Sequence, residues 1–290
     1  MLTKESYQYI KHLPKSNQLF KTTVTRKLFS TLENITYTYD RPTITTKNIQ
    51  YPHMEFIPSH LMKKTKTYNK GIIVSWTVYS TYKIDCKLTL YQKSEKINKN
   101  SINLMIYIIS FIVSLSDRDR TFAVNIVLLP DKKLFNKKFT PTEINSGLCS
   151  SNLTEAEIFV WRKEECIKVL IHELIHGLQL SDIKDTPAIL NHYNAKYNIN
   201  CSRITLDETY TEIWAKIFNC YLVVRLTDDL STYEHFARLL LAEKTFSMIQ
   251  SWKIRKYLQD DYKKKKVKKD LNQHTNVVAY YLAISEVFDK

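Results

Sequence analysis

An α+β chain is what the sequence predicts, on three observations. β-Branched and aromatic runs with partial alternation fill the first half, a nearly unbroken apolar stretch lies between two of them, and helical periodicity dominates after residue 162. The first fifty residues are polar and threonine-rich, with Tyr7 to Leu13 reading as a short helix, and 1–70 is taken as an amino-terminal extension. Gly71 to Ser80 (GIIVSWTVYS) and Tyr82 to Gln92 (YKIDCKLTLYQ) read as two strands. Ile102 to Leu115 (INLMIYIISFIVSL) is too short for the roughly 20 residues a bilayer requires, and reads as a buried helix. Phe122 to Pro130 (FAVNIVLLP) and Glu157 to Trp161 (EIFVW) read as apolar strands, with a short segment around Gly147 between them. After the second of these strands no proline interrupts Arg162 to Ser181, which reads as a helix. Leu206 to Leu222 is a second amphipathic helix, with Ile213, Trp214, Ile217, Phe218 and Tyr221 as its expected buried side. Tyr233 to Leu258 and Thr275 to Phe288 complete the helical third, separated by the charged stretch Asp260 to Asp270. The expected organisation is therefore a mixed sheet with helices over 71–182 and a mostly helical lobe over 183–290.

The run Val169 to Leu178 (VLIHELIHGL) carries a more specific signal: His172-Glu173-Leu174-Ile175-His176, an H-E-x-x-H pentad. Side chains at i and i+4 stand one above the other on a helix, so both imidazoles reach one ion at roughly 2.0–2.1 Å. Glu173 then stands beside them as a general base for a water molecule. Ile167, Leu170, Ile171, Leu174 and Leu178 are expected on the opposite side, anchoring the helix and leaving a second face for metal. Gly177, directly after the second histidine, leaves room for another backbone to approach. The competing reading, two buried hydrogen-bonded histidines, leaves Glu173 as a carboxylate drawn towards the core for no reason.

A catalytic zinc site takes a third protein ligand. Asp182 stands at the last position of the longer pattern H-E-x-x-H-x-x-G-x-x-H/D, but Gln179 occupies the place where that pattern has glycine. Downstream, Glu208, Glu212 and Asn219 share a stripe of the second helix, and an acidic pair there offers one ligand and one outer acceptor for a histidine N–H. Solvent-facing glutamates are the plainer alternative.

H-E-L-I-H followed by T-E-I-W-A-K-I-F resembles the gluzincin group of zinc metallopeptidases, the thermolysin-like and lethal-factor-like enzymes. The resemblance implies a zincin-like fold whose motif helix lies between a sheet lobe and a helical lobe, one Zn2+ per chain, and hydrolysis of peptide bonds by a zinc-activated water with Glu173 as base. It implies His172, His176 and Glu212 as ligands, since Ala215 follows Glu212 at the group's usual spacing. One departure stands out: an acid four residues after the ligand is common in the group, and here Lys216 stands there. Glu208, one turn earlier, supplies the missing outer carboxylate, or the two glutamates exchange roles. The strand and helix order before the motif also matches the upper half of a zincin, which makes the segment around Gly147 the edge strand beside the cleft. Asn145, Ser146 and Gly147 are then the expected substrate contacts, through main-chain hydrogen bonds to an extended peptide. A looser similarity, over roughly Asn145 to Leu222, is to uncharacterised predicted metallopeptidases of large DNA viruses, and it brings no substrate.

Composition bounds the rest. The 290 residues, 44% hydrophobic, suffice for a sizeable core, and 3 glycines and 7 prolines argue against long flexible linkers. The start Met1-Leu-Thr-Lys-Glu lacks the apolar region of a signal peptide, so a cytoplasmic or nucleocytoplasmic rather than secreted setting is expected. Five cysteines without paired spacing suit free thiols, and Cys149 stands near the expected cleft. A net charge of +14, with Lys263 to Lys269 (KKKKVKK) its densest run, attracts acidic peptide or protein substrates, anionic membrane surfaces and nucleic acid. Nucleic acid is the less favoured of these, because no recognised binding motif accompanies the charge. The rival to the enzyme is a catalytically silent, zincin-like binding protein gripping an acidic partner or nucleic acid.

Overall fold

The computed structural model describes residues 23–55, 57–94, 96, 98–132, 145–265, 268–270 and 276–289. The chain divides into two units, Ile35–Leu180 and a second made of Met1–Asn34 with Ser181–Lys290. In chain order, α1 (Thr23–Glu33) precedes β1 (Thr38–Tyr39), β2 (Thr43–Asn48), α2 (Ser59–Thr65), β3 (Lys70–Tyr79) and β4 (Lys83–Gln92). Next come α3 (Lys99–Val113), β5 (Arg120–Leu129), β6 (Gly147–Ser151), β7 (Glu155–Arg162) and α4 (Cys166–Leu178). The remainder is α5 (Pro187–Tyr197), β8 (Ile199–Asn200), α6 (Leu206–Arg225), α7 (Tyr233–Lys265), β9 (Lys269–Asp270), a π-helix (Val278–Ala283) and α8 (Ile284–Asp289).

The first unit is built on a seven-stranded mixed sheet in the order β1-β3-β4-β5-β7-β6, with β2 also on β3. The β1, β2, β4 and β6 pairings to β3 or β7 are antiparallel, whereas β4–β5 and β5–β7 are parallel. Alternation decides which residues face the helices. On β3, Ile72, Val74, Trp76 and Val78 are buried, and the Trp76 indole N–H donates to Ser110 Oγ of α3 at 2.9 Å. On β5, Phe122, Val124 and Ile126 share this side, while Val127 and Leu129 join Tyr51, Leu61, Tyr91, Phe159 and Trp161 in a second apolar layer.

The apolar stretch at 102–115 is the interior helix α3. Asn98 caps it, its side-chain oxygen accepting from the Ser101 amide at 3.2 Å. No helix among the described residues is long and apolar enough to cross a membrane. Residues 38–48, set aside in the sequence reading as part of an extension, supply β1 and β2.

The second unit is mostly helical. Phe29 of α1 packs against Tyr221 of α6 and Tyr233 and Phe236 of α7, with ring centroids 5.9, 6.0 and 5.3 Å away. The α+β class with a mixed sheet and a mostly helical remainder agrees with the sequence. The expected helix at Tyr7 to Leu13 lies outside the described residues. Helix α7 runs through the expected break at Asp260 as far as Lys265.

Candidate metal centre

Helix α4 follows β7 almost directly, and it packs on β6, β7 and α3. Its ends are fixed by two left-handed residues, Glu165 (φ 57°) before it and Gln179 (φ 54°) after it. Gln179 thus takes the turn without the glycine that usually makes it. Arg120, buried at the start of β5, secures this end: its guanidinium donates to the Gly177 carbonyl and, at 3.1 Å, to Gln179 Oε1. The Gln179 side-chain Nε2 in turn donates to Ser151 Oγ of β6 at 3.2 Å.

The helix is buried more completely than one apolar stripe requires. Leu170, Ile171, Leu174 and Leu178 are in the core as expected, but His172 and Glu173 are buried as well and Ile167 is only half-buried. What lies against Gly177 is not a second backbone: a methyl group there would stand 2.7 Å from the Phe122 ring and 3.1 Å from Ala156 Cβ. This glycine lets the helix settle onto the sheet.

The two histidines converge. Their Nε2 atoms are 3.1 Å apart, with ring centroids at 4.8 Å and planes inclined by 71°. Two nitrogens bound to one tetrahedral zinc at roughly 2.0–2.1 Å stand roughly 3.3 Å from each other, so the pair matches the geometry of a shared ion.

Glu173 points to the edge of the sheet. A methyl group on Gly147 would lie 2.7 Å from Glu173 Oε1 and 2.6 Å from Val169 Cγ1. Only glycine therefore lets β6 pass this close to the carboxylate. Among the described residues β6 pairs with β7 alone, which makes it an edge strand. Ser146, just before it, is buried; its carbonyl accepts from the Trp161 amide at 3.1 Å, and its hydroxyl has no hydrogen-bond partner among the described residues. Asn145 is half-buried. Cys149, two residues along β6, has its thiol pushed up to about 12 by burial and by the Glu173 charge.

Glu208 and Glu212 belong to the helical unit. The amino terminus of α6 is held by Asp185, whose carboxylate accepts from the amides of Ile204, Thr205 and Leu206 at 2.5, 2.9 and 3.1 Å. The buried side of α6 differs from the expected one: Phe218 and Tyr221 are in the core, but Ile213, Trp214 and Ile217 are half-buried, and Glu212, Ala215 and Lys216 are buried instead. Burial of this polar stripe is made affordable by its own pairing. Lys216 Nζ donates to Glu243 Oε2 of α7 at 2.7 Å and lies 3.8 Å from Glu212 Oε1. Glu208 instead accepts a hydrogen bond from the Tyr280 hydroxyl at 2.9 Å. Tyr280 sits in the π-helix, which Thr209 ties to α6 by donating to the Ala279 carbonyl at 3.4 Å. Asp182, the other sequence candidate, has a fully exposed side chain 3.6 Å from Lys184 Nζ.

Elsewhere in the helical unit, His192 and Tyr197 are engaged with Glu286, and His235 with Thr232. Arg120, Asp185 and Tyr280 were not singled out by sequence reasoning. Comparison of the chain with protein-family models, curated proteins and solved structures finds no match.

Proposed function

We propose that this chain is a zinc-dependent metallopeptidase of the gluzincin type, with His172, His176 and a glutamate of α6 holding the ion and Glu173 as general base. The observation that carries the reading is the convergence of the two Nε2 atoms at 3.1 Å on a helix whose intervening acid lies against an edge strand. Paired imidazoles, an acid and a strand able to receive an extended peptide are the parts that peptide hydrolysis requires.

For the third ligand we favour Glu208 over the Glu212 implied by the family spacing. A buried ammonium 3.8 Å from Glu212 offsets the negative charge that a dication draws on, whereas the neutral Tyr280 hydroxyl orients Glu208 and leaves its charge in place. Glu212 and Lys216 then act as the outer polar layer that fixes the helix.

Bound zinc supplies a Lewis acid that polarises the substrate carbonyl and acidifies water. Glu173 takes the proton of the attacking water and returns it to the leaving amine. The main chain of β6 holds the peptide extended alongside, and Gly147 keeps the distance from strand to carboxylate short. A net charge of +14 favours acidic peptide or protein substrates.

The test is cleavage of a peptide library by the purified chain and by Glu173→Gln, with zinc content measured on both. Removing the base is expected to lower turnover by roughly 10²–10⁴-fold while zinc stays bound. Zinc binding without cleavage in the unaltered chain would instead leave the binding-protein reading standing.

A further inference from the structure

Helix α7 carries an apolar surface that the proposed peptidase does not use. Leu240, Ser247, Ser251 and Leu258 face the core at helical spacing, and the opposite side exposes Ile249 and Trp252, the latter at 54%, with Met248 and Phe246 exposed on its two flanks, the Phe246 ring also meeting the Lys216 ammonium at 5.8 Å. Singly exposed apolar residues are ordinary, but a contiguous group that includes a tryptophan and a phenylalanine marks a contact surface.

The same side becomes basic along the helix. Lys253 and Lys256 are exposed, and the Lys256 ammonium lies 5.2 Å from the centre of the Trp252 ring. Lys263, seven residues after Lys256 and so on the same side, is exposed and begins the run KKKKVKK. Asp260 and Asp261 interrupt the basic stretch without reversing its sign.

We propose that this face of α7 docks on an anionic lipid bilayer surface. Charge complementarity and side-chain type select that occupant. Aromatic and aliphatic side chains enter the headgroup boundary, lysine stems lie along it with their ammonium groups outward, and acidic lipid attracts the basic extension. Nucleic acid would engage the lysines but leave Ile249 and Trp252 in water. A protein partner would more often seat such residues in a groove, whereas a line of them on one convex helix meets a plane along its length.

The experiment is co-sedimentation of the full chain with phosphatidylcholine vesicles, with and without phosphatidylserine. Binding is expected only with phosphatidylserine, weakening as salt rises, and Ile249→Ser with Trp252→Ser should lower it by roughly tenfold or more. Lys253→Glu with Lys256→Glu should lower it to a similar degree, and far-UV circular dichroism should match the unaltered chain in both variants. Three outcomes would overturn the proposal: no binding to acidic vesicles, binding indifferent to the Ile249 and Trp252 changes, or a lipid-free, concentration-dependent dimer dispersed by those changes. Cleavage of a soluble peptide is expected to be unaffected by these substitutions, so failure of the docking surface and failure of the peptidase reading are separable.

Discussion

Helices α4 and α6 each bury acids among apolar neighbours, and they solve the electrostatic problem differently. On α6, Glu212 is matched by Lys216 on the next turn, and Lys216 is shared with Glu243 of α7, so acid and base form a network within the helical unit. On α4, Glu173 is placed between two converging histidines and against the backbone of an edge strand. The first arrangement neutralises charge to hold helices together. The second keeps a carboxylate beside a convergent pair of imidazoles, the arrangement on which the proposed hydrolysis rests.

That contrast can be broken at several points. The largest expected effect on stability is from Lys216→Met, which leaves Glu212 and Glu243 without their shared cation and should cost about 3 kcal/mol, read as a lower midpoint in urea unfolding. An equal loss should not follow Glu173→Gln, and if it did, the two acids would have the same structural role. Next comes Gly147→Ala. Its new methyl group would stand 2.6–2.8 Å from Val169 and Glu173, so a cost of about 1–3 kcal/mol is expected together with a fall in turnover. A smaller change is expected from Tyr280→Phe, about 1 kcal/mol in stability but a roughly 10–100-fold loss of zinc affinity, measured by competition with a chelator. The smallest effect concerns Cys149. With its thiol pushed up to about 12 it remains protonated at neutral pH, so alkylation by iodoacetamide should be slow in the folded chain and accelerate on unfolding.

Sequence was informative where cause and effect lie within one segment. The two histidines and Glu173 are fixed by helical spacing alone, and the strands at 70–79, 83–92 and 120–129 were visible, to within one or two residues, because alternation reports a half-buried sheet. Strand β2 (TITTKN) was not visible, because every residue in it is exposed and its pairing to β3 depends on main-chain hydrogen bonds that carry no side-chain pattern. The face of α6 was misjudged for a related reason. Ile213, Trp214 and Ile217 outrank Lys216 in hydrophobicity, but Lys216 is buried because Glu243, on another helix, accepts a hydrogen bond from its ammonium. Tyr280 was equally out of reach, since its partner Glu208 is 72 residues away.

The measurement that most directly tests the account is zinc content by metal analysis of the purified chain beside Glu208→Gln and Glu212→Gln. The account predicts a single zinc in the unaltered chain, retained by Glu212→Gln and lost from Glu208→Gln. Absence of zinc from the unaltered chain, or loss with Glu212→Gln while Glu208→Gln keeps it, would contradict it.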